Sequence, residues 1–555
     1  MRERVLAFSI VVIVCACAAV DDSASHGEPG FGKDSGASGG VGGTAANASG
    51  PAGSGGSDLD FPSVDPCKSA QEGQSAIGCE FYPVYPDVYD MSDGACYAVF
   101  VANTASEPLT ITVSYDNTTL DTADFARIPV GSGKALTYQG LPGGQVPVNE
   151  VAILFLARHN STPCPAGVKP PVPVAAVDGT GIGRAFRITT SAPVAMYDAV
   201  PYGGSDSGVS SASLLLPTSA WGTNYVAVNA FPKGLAGQPT MALVAADDGT
   251  EVVITPKVDI VAAPDVAAAP AGSPHTYLLA RGQVLQITQD SELTGSVIQA
   301  NKPIGMVGGQ TCLNVDVNDG DCDADHKWIS PVSALGSEYV AVRYRSRHAG
   351  EEESTPWRVV GTVDGTTLSY EPAAPEGAPS VIGKGEVASF WSLEPFVITS
   401  QDDAHPFFLA GYMTGRFYPP APYMASGPEF LNALPAAQYQ DSYVFFTDPT
   451  YPETNLVFVR PVSQDRGTQD VTLDCLGAVS GWASVGSRYE YARVDLQTAD
   501  FEKVGTCDNG RHKAHSSGTF GLVVWGWTNG YTLSGTSYAY PGGAGTKRIN
   551  DVVVK

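Results

Sequence analysis

Five aspartates fall within ten residues of the segment CLNVDVNDGDCDADH, between Cys312 and His326: Asp316, Asp319, Asp321, Asp323 and Asp325. Oxygen ligands at that density suit a hard cation. Ca²⁺ is the ion they would take, because its charge relieves their mutual repulsion. The spacing lacks the full EF-hand pattern and its terminal glutamate, so the competing expectation is a solvated acidic loop pinned by a disulfide. A second acidic run, Glu351, Glu352 and Glu353, lies in an insert from His348 to Pro356. Both segments read as binding loops, and their charge favours neutral or basic partners.

Catalytic constellations are not assembled. The one Gly-x-Ser-x-Gly match, Gly36 to Gly40, lies in a Gly/Ser-rich stretch with no strand-to-helix elbow to hold a nucleophile. Asp206-Ser207-Gly208 has the letters of an aspartic-protease loop but is surrounded by glycine and serine, and it reads as a turn. Eight histidines are scattered without a His-Glu-x-x-His pattern, and His512 and His515 read as surface residues beside Cys507. The aromatics of the closing strands, Trp525, Trp527, Tyr531, Tyr538 and Tyr540, with Phe407, Phe408 and Tyr412, read as core fillers. The chain is expected to be no enzyme, and Ca²⁺ is the one cofactor considered.

The chain has 555 residues, enough for several cores. Its formal net charge of −26 disfavours nucleic acid as a partner. Glycine (62) and proline (41) are abundant and only 16% of residues are charged, which suits many short strands joined by tight turns. Residues 1–16 read as a signal peptide, with Arg2 and Arg4 before the apolar run Val5 to Val14. Val14-Cys15-Ala16-Cys17 resembles a bacterial lipobox with Cys17 as the lipid anchor; the alternative is an ordinary cleavage near Ala18 or Ala19 that frees the chain. Ala18 stands where an aspartate would retain a lipoprotein at the inner membrane. The expected location is therefore the bacterial cell envelope, as an outer-membrane lipoprotein exposed at the surface, with secretion as the alternative. Residues 21–60 hold twelve glycines and seven serines and read as the flexible part of a 17–60 linker spanning roughly 35 Å.

Removing Cys15 and Cys17 leaves Cys67, Cys79, Cys96, Cys164, Cys312, Cys322, Cys475 and Cys507, an even set that suits disulfides in an exported chain. Spacing pairs Cys312 with Cys322 and Cys475 with Cys507; the first four leave three connectivities open.

The sequence also repeats. PTSAWGTNYVAV (217–228) recurs as PVSALGSEYVAV (331–342) and PAAQYQDSYVFF (435–446). VAADDGTEVVITP (244–256) recurs as VGTVDGTTLSYEP (360–372), where Asp-Gly between alternating runs predicts a hairpin. A third element closes each unit, from 190, 300, 400 and 518. The fold class expected is all-β, in β-sandwich-like modules of about 105–115 residues, with a large-bladed propeller as the alternative. The units are placed at 61–210, 211–325, 326–430 and 431–545, followed by a tail at 546–555, and the first unit reads as the least regular.

GCEFYPVYPD (78–87), CYAVFVANT (96–104), the block from Ala185 to Val226, LTGSVIQANKPIGMVGGQTC (293–312) and SYAYPGG (537–543) together resemble the IgGFc-binding protein N-terminal domain family. The resemblance covers about residues 60–545. It implies an extracellular, non-enzymatic binding module whose partner is an extracellular or cell-surface protein or glycan. Relatives commonly read Cys-Asp-His where this chain has Cys322, Asp323, Ala324, Asp325, His326. The rival functions are an envelope glycan hydrolase and a structural coat or matrix component.

If Cys17 carries the lipid, a fatty-acid analogue should label the protein and Cys17→Ser should abolish the label; label kept by the variant would refute the anchor.

Overall fold

Repetition in the sequence becomes a repeated triple of strands: an opening strand, a long strand and an inner strand. The first triple is β1 (Gly78–Phe81), β2 (Phe186–Val200) and β3 (Ser211–Leu214). The second is β4 (Gly222–Val226), β5 (Val297–Leu313) and β6 (Asp323–Trp328), and the third β7 (Glu338–Ala341), β8 (Phe407–Met413) and β9 (Glu429–Asn432). The fourth is β10 (Gln440–Thr447), β11 (Gly510–Trp527) and β12 (Ser537–Pro541). The computed structural model describes residues 65–555 except 90, 91, 93, 160–162, 205–208, 316–319, 348, 349, 351, 417–425, 463–466 and 529–534. The signal peptide, Cys17, the linker, Asp206 to Gly208, His348 and Tyr531 lie outside the described residues. Among those described, one α-helix, α1 (Pro66–Gly73), is present, and no helix is long and apolar enough to cross a membrane. The architecture is all-β and antiparallel, in sandwich-like modules.

The shared motif has a physical cause. In three modules a tyrosine of the opening strand accepts the backbone N–H of the residue three positions before it and donates to a carbonyl of the long strand. Gly222 N–H, Tyr225 and Ile304 form one such set, at 3.0 and 2.7 Å. Gly336, Tyr339 and Phe407 repeat it at 3.2 and 2.6 Å, and Gln440, Tyr443 and Phe520 at 3.0 and 2.5 Å. Glycine three positions before the tyrosine lets a proline from the following segment pack directly on the backbone: a Cβ on Gly222 would stand 2.5 Å from Pro331, and one on Gly336 2.4 Å from Pro435. The first module, expected to be the least regular, keeps the glycine–proline contact but not the hydroxyl bridge. Gly78 lies under Pro217 in the same way, with Phe81 in the tyrosine position and Cys79 tied to Cys67.

The Asp-Gly turns correct the hairpin expectation. Gly249 and Gly365 do sit at positive φ, 64° and 73°. The strands on either side of each turn nevertheless do not pair with each other. Pro239–Ala245 and Thr250–Thr255 both pair with β5, along its second and first halves. Each turn carries the chain from one layer of the module to the other, because the long strand itself bends between layers. In the third module that strand is split outright, into Phe396–Ser400 and β8, which lie in separate four-stranded sheets.

The four inner strands meet in the middle: β3 packs against β6 and β12, and β9 against both of them as well. Aromatic contacts seal each junction in turn. Trp221 stacks on Trp328 at 5.8 Å, Phe231 meets Tyr412 at 5.3 Å, Tyr344 meets Trp525 at 5.0 Å, and Tyr197 meets Tyr540 at 4.7 Å. Trp525, Trp527, Tyr538 and Tyr540 are all buried, as core fillers should be. The ring closes where Ala76 N–H donates to Ala544 O and Thr546 N–H to Gln74 O, both at 2.8 Å. Residues 546–555 then run back over two modules, with Asn550 donating to Val332 O and Leu335 O and Asn224 donating to Val554 O. Modules also interleave, since Gly181–Arg184 pairs with Gln283–Thr288 of the second sheet. Four disulfides, Cys67–Cys79, Cys96–Cys164, Cys312–Cys322 and Cys475–Cys507, each join residues within one module, at separations of 12, 68, 10 and 32 residues.

Tyr339→Phe would leave a buried N–H and a buried carbonyl without their partner, at a cost of about 1–3 kcal/mol. A denaturant titration should show a lower midpoint with an unchanged slope; an unshifted midpoint would remove the tyrosine from the account of the repeat.

Candidate binding face

Each inner strand is reached through a loop from the end of its long strand: residues 201–210, 314–322, 414–428 and 528–536. Because the triples are equivalent, the described ends of these loops come together at one end of the ring, where hydrogen bonds tie them. Thr536 Oγ1 donates to Gly204 O at 2.6 Å, and Ser426 N–H to Thr528 O at 3.1 Å. Asp321 Oδ1 lies 3.4 Å from Arg416 Nε. The insert after β7 joins them through Arg347, whose Nη1 donates to Thr414 O at 2.9 Å.

The acids expected to line these loops are placed unevenly. Asp316, Asp319 and Glu351 lie outside the described residues. Asp323 and Asp325 are buried, at 0% and 1% exposure, rather than solvated. Asp323 accepts Ser210 N–H and Ser537 N–H at 2.8 and 3.0 Å, which ties three modules together. Asp325 accepts Phe430 N–H at 2.5 Å and Lys327 Nζ at 2.7 Å. These oxygens are taken by protein donors, and the two side chains serve the junction. Glu353, also expected at the surface, is buried and pairs with Arg347 at 3.0 Å while accepting the Tyr344 hydroxyl at 2.8 Å. Burial raises its pKa but the guanidinium and these hydrogen bonds outweigh it, so its carboxyl stays below the usual range. Glu352 remains at the surface, 61% exposed, paired with Arg343. Arg343, Arg345 and Arg347 stand at alternate positions, and Arg345 pairs with Asp495 at 2.6 Å and with Glu453. Two of the insert's three acids, Glu352 and Glu353, are thus paired with arginines that precede it, and the alternating arginines were the signal in the sequence for that pairing.

Beneath the loops lies a buried polar network that sequence reading missed. His326 Nδ1 lies 2.8 Å from Ser211 Oγ, and its Nε2 lies 2.9 Å from Asp198 Oδ1. Ser211 Oγ also accepts the backbone N–H of His326 at 2.9 Å and lies 3.5 Å from Asp325 Oδ1, so one hydroxyl links the imidazole, the strand backbone and the second carboxylate. Tyr97 donates to the other Asp198 oxygen at 2.9 Å. Serine, histidine and aspartate are the residues of a hydrolase triad, but exposures of 2%, 1% and 0% leave no room for a substrate. Lys327, at the same depth, donates to Asp325, Glu429 and Ala212 O. Burial pushes the carboxyls of Asp323 and Glu429 well above the usual range, helped by neighbouring acids.

Two other places could hold a ligand. Asp474, Cys475 and His512 are the one group of three potential metal ligands among the described residues, and the sulfur of Cys475 is committed to Cys507. A cleft of about 850 Å³ opens between the first and last modules, where Tyr138, Tyr202 and Phe501 present rings and the Tyr138 and Tyr202 hydroxyls lie 2.8 Å apart.

Comparison with known proteins bears on the reading. The family profile described as IgGFc binding protein matches residues 211–526, from β3 into β11. A human protein named IgGFc-binding protein is 26% identical over 325 residues, which is 57% of this chain. The chain matches 5% of that protein's length. No solved structure matches.

Asp448, under the fourth inner strand, gives the face a pH signature. Burial pushes its carboxyl up to about 6, although Thr450 donates to it twice. The folded chain thus keeps a proton that the unfolded chain releases near pH 4, so this residue's contribution to stability falls as pH rises from about 4 to about 6. Asp448→Asn should match wild type at pH 4 and exceed it by about 2–3 kcal/mol at pH 7. Parallel stability curves for the two proteins would contradict this.

Proposed function

The chain belongs to the IgGFc-binding protein family, and from that membership we propose a non-catalytic binding protein held at a bacterial cell surface through acylated Cys17. Its partner is an extracellular or cell-surface protein, gripped by the loops that crown the four inner strands. The observation that carries this reading is the convergence of one loop from each module, with the insert after β7, at one end of a closed ring. A rigid scaffold presenting variable loops is the arrangement that binding surfaces recurrently use. The opposite end carries the Asp-Gly turns, which are short and held by backbone geometry. The carboxylates that could have served a hydrolase at the ring's centre, Asp198, Asp323, Asp325 and Glu429, are all buried. Because the insert's acids are largely paired, recognition rests on shape and hydrogen bonding more than on net negative charge. The human relative is named for IgG Fc, which makes Fc the first protein to test.

Immobilised mature protein should bind at least one of Fc, mucin protein or envelope extract saturably. Glu352→Gln, which keeps an acceptor for Arg343, should weaken that binding about threefold with little change in the thermal midpoint, while Asp248→Lys, on a turn at the far end, should leave it unchanged. Equal losses in both variants would move the contact surface elsewhere. Turnover in a hydrolase panel that dies with one carboxylate would overturn the non-catalytic reading.

A further inference from the structure

Lys327 is an unusual centre for a binding protein. Its side chain is 1% exposed, and its nitrogen lies 2.7 Å from Asp325 Oδ1, 2.5 Å from Glu429 Oε1 and 2.9 Å from Ala212 O. The lysine and Asp325 come from β6, Glu429 from β9 and the carbonyl from β3, so three modules meet at one amine. One ammonium facing two carboxyl groups leaves an excess negative charge if both are ionised, and burial disfavours that charge strongly. Both carboxyls accept the lysine and one backbone N–H, from Phe430 for Asp325 and from Ala539 for Glu429, and it is Glu429 that burial and the neighbouring Asp325 push well above the usual range. The proton then belongs on Glu429. An amine, a carboxylic acid and a neighbouring base are thereby held together away from bulk water.

We propose that Lys327 and Glu429 condense into an intramolecular amide bond that joins the second module to the third, with Asp325 carrying the protons. Asp325 takes a proton from the ammonium, and the freed amine attacks Cδ of the protonated Glu429 carboxyl. Asp325 returns that proton to the departing hydroxyl, which leaves as water, and then accepts the remaining nitrogen proton. The new bond is Nζ–Cδ, the broken one is Cδ–O, one water is released, Asp325 ends neutral, and no oxidant or cofactor is needed. Fixed proximity turns the reaction of two side chains into a unimolecular step. Each chain needs a single turnover, so a slow rate is enough. The alternative bond, from Lys327 to Asp325, would link positions two apart on one strand and would connect no modules.

The test uses the purified mature chain, reduced and alkylated. Its intact mass should fall short of the sequence mass by one water. Trypsin should fail to cut after Lys327 and should release a branched peptide containing both Lys327 and Glu429. Lys327→Arg should restore the full mass. Glu429→Gln should lose ammonia to give the same branched peptide, and Asp325→Asn, which keeps both partners, should raise the fraction of uncondensed chain. Wild-type protein at full mass and cleaved after Lys327 would overturn the proposal, as would a water deficit confined to Lys327 and Asp325.

Discussion

Burial of charge where four inner strands meet is the constraint on which the rest of the structure depends. Closing the ring takes Asp198, Asp323, Asp325, His326, Lys327 and Glu429 out of water together. Each such group is costly unless the others satisfy it, and loss of one partner of a buried pair typically costs about 3–5 kcal/mol. Asp323 bonds backbone of the first and fourth modules, Asp325 bonds backbone of the third, and Lys327 reaches the first and third. Aromatic stacking supplies area at every junction, but apolar contact tolerates sliding. Directional bonds between charged groups and specific backbone atoms do not, so the network fixes how the modules sit around the ring.

The repeat, the all-β class and the pairs Cys312–Cys322 and Cys475–Cys507 were legible because each follows from nearby residues, whereas spacing left the pairing of Cys67, Cys79, Cys96 and Cys164 open. Gly-x-x-Tyr encodes a strand start and a hydroxyl bridge within one module, and the proline five residues before that glycine packs on the matching glycine of the preceding module. The Asp-Gly turns were legible as turns and misread as hairpins. The local signal gives the bend of the chain but says nothing of where the flanking strands find partners, and here a long strand supplies both. The first module's GCEF was hidden because phenylalanine replaces the tyrosine and the cysteine draws the eye to its disulfide. Asp198, Ser211 and His326 could not have been grouped from sequence. They are separated by more than a hundred residues in places, and only ring closure brings them together.

The two acidic segments show why counting charges misleads. Asp323 and Asp325 continue the acidic loop in sequence, yet they begin the inner strand β6 and turn into the ring. Glu353 continues the acidic insert, yet it faces Arg347 and Tyr344. In both cases neighbours in one acidic run differ in environment, as Glu352 at the surface and Glu353 in the interior show, because local backbone direction and not charge decides which way each side chain faces. The net charge of −26 is therefore a poor guide to the local charge of the face.

Closure also bears on how such a protein could work under load. In a linear array each junction carries the full strain, and the weakest one sets the limit. In a closed ring, separating two neighbours also requires opening a second junction elsewhere. Here the seam between first and last modules is backed by paired backbone at residues 74–76 and 544–546, by Tyr197 against Tyr540, and by a tail that returns across the second and third modules. The loops of the face are anchored on strands that cannot separate one at a time. Loop composition can then vary without endangering the scaffold, which is the physical condition for one fold to serve many binding partners.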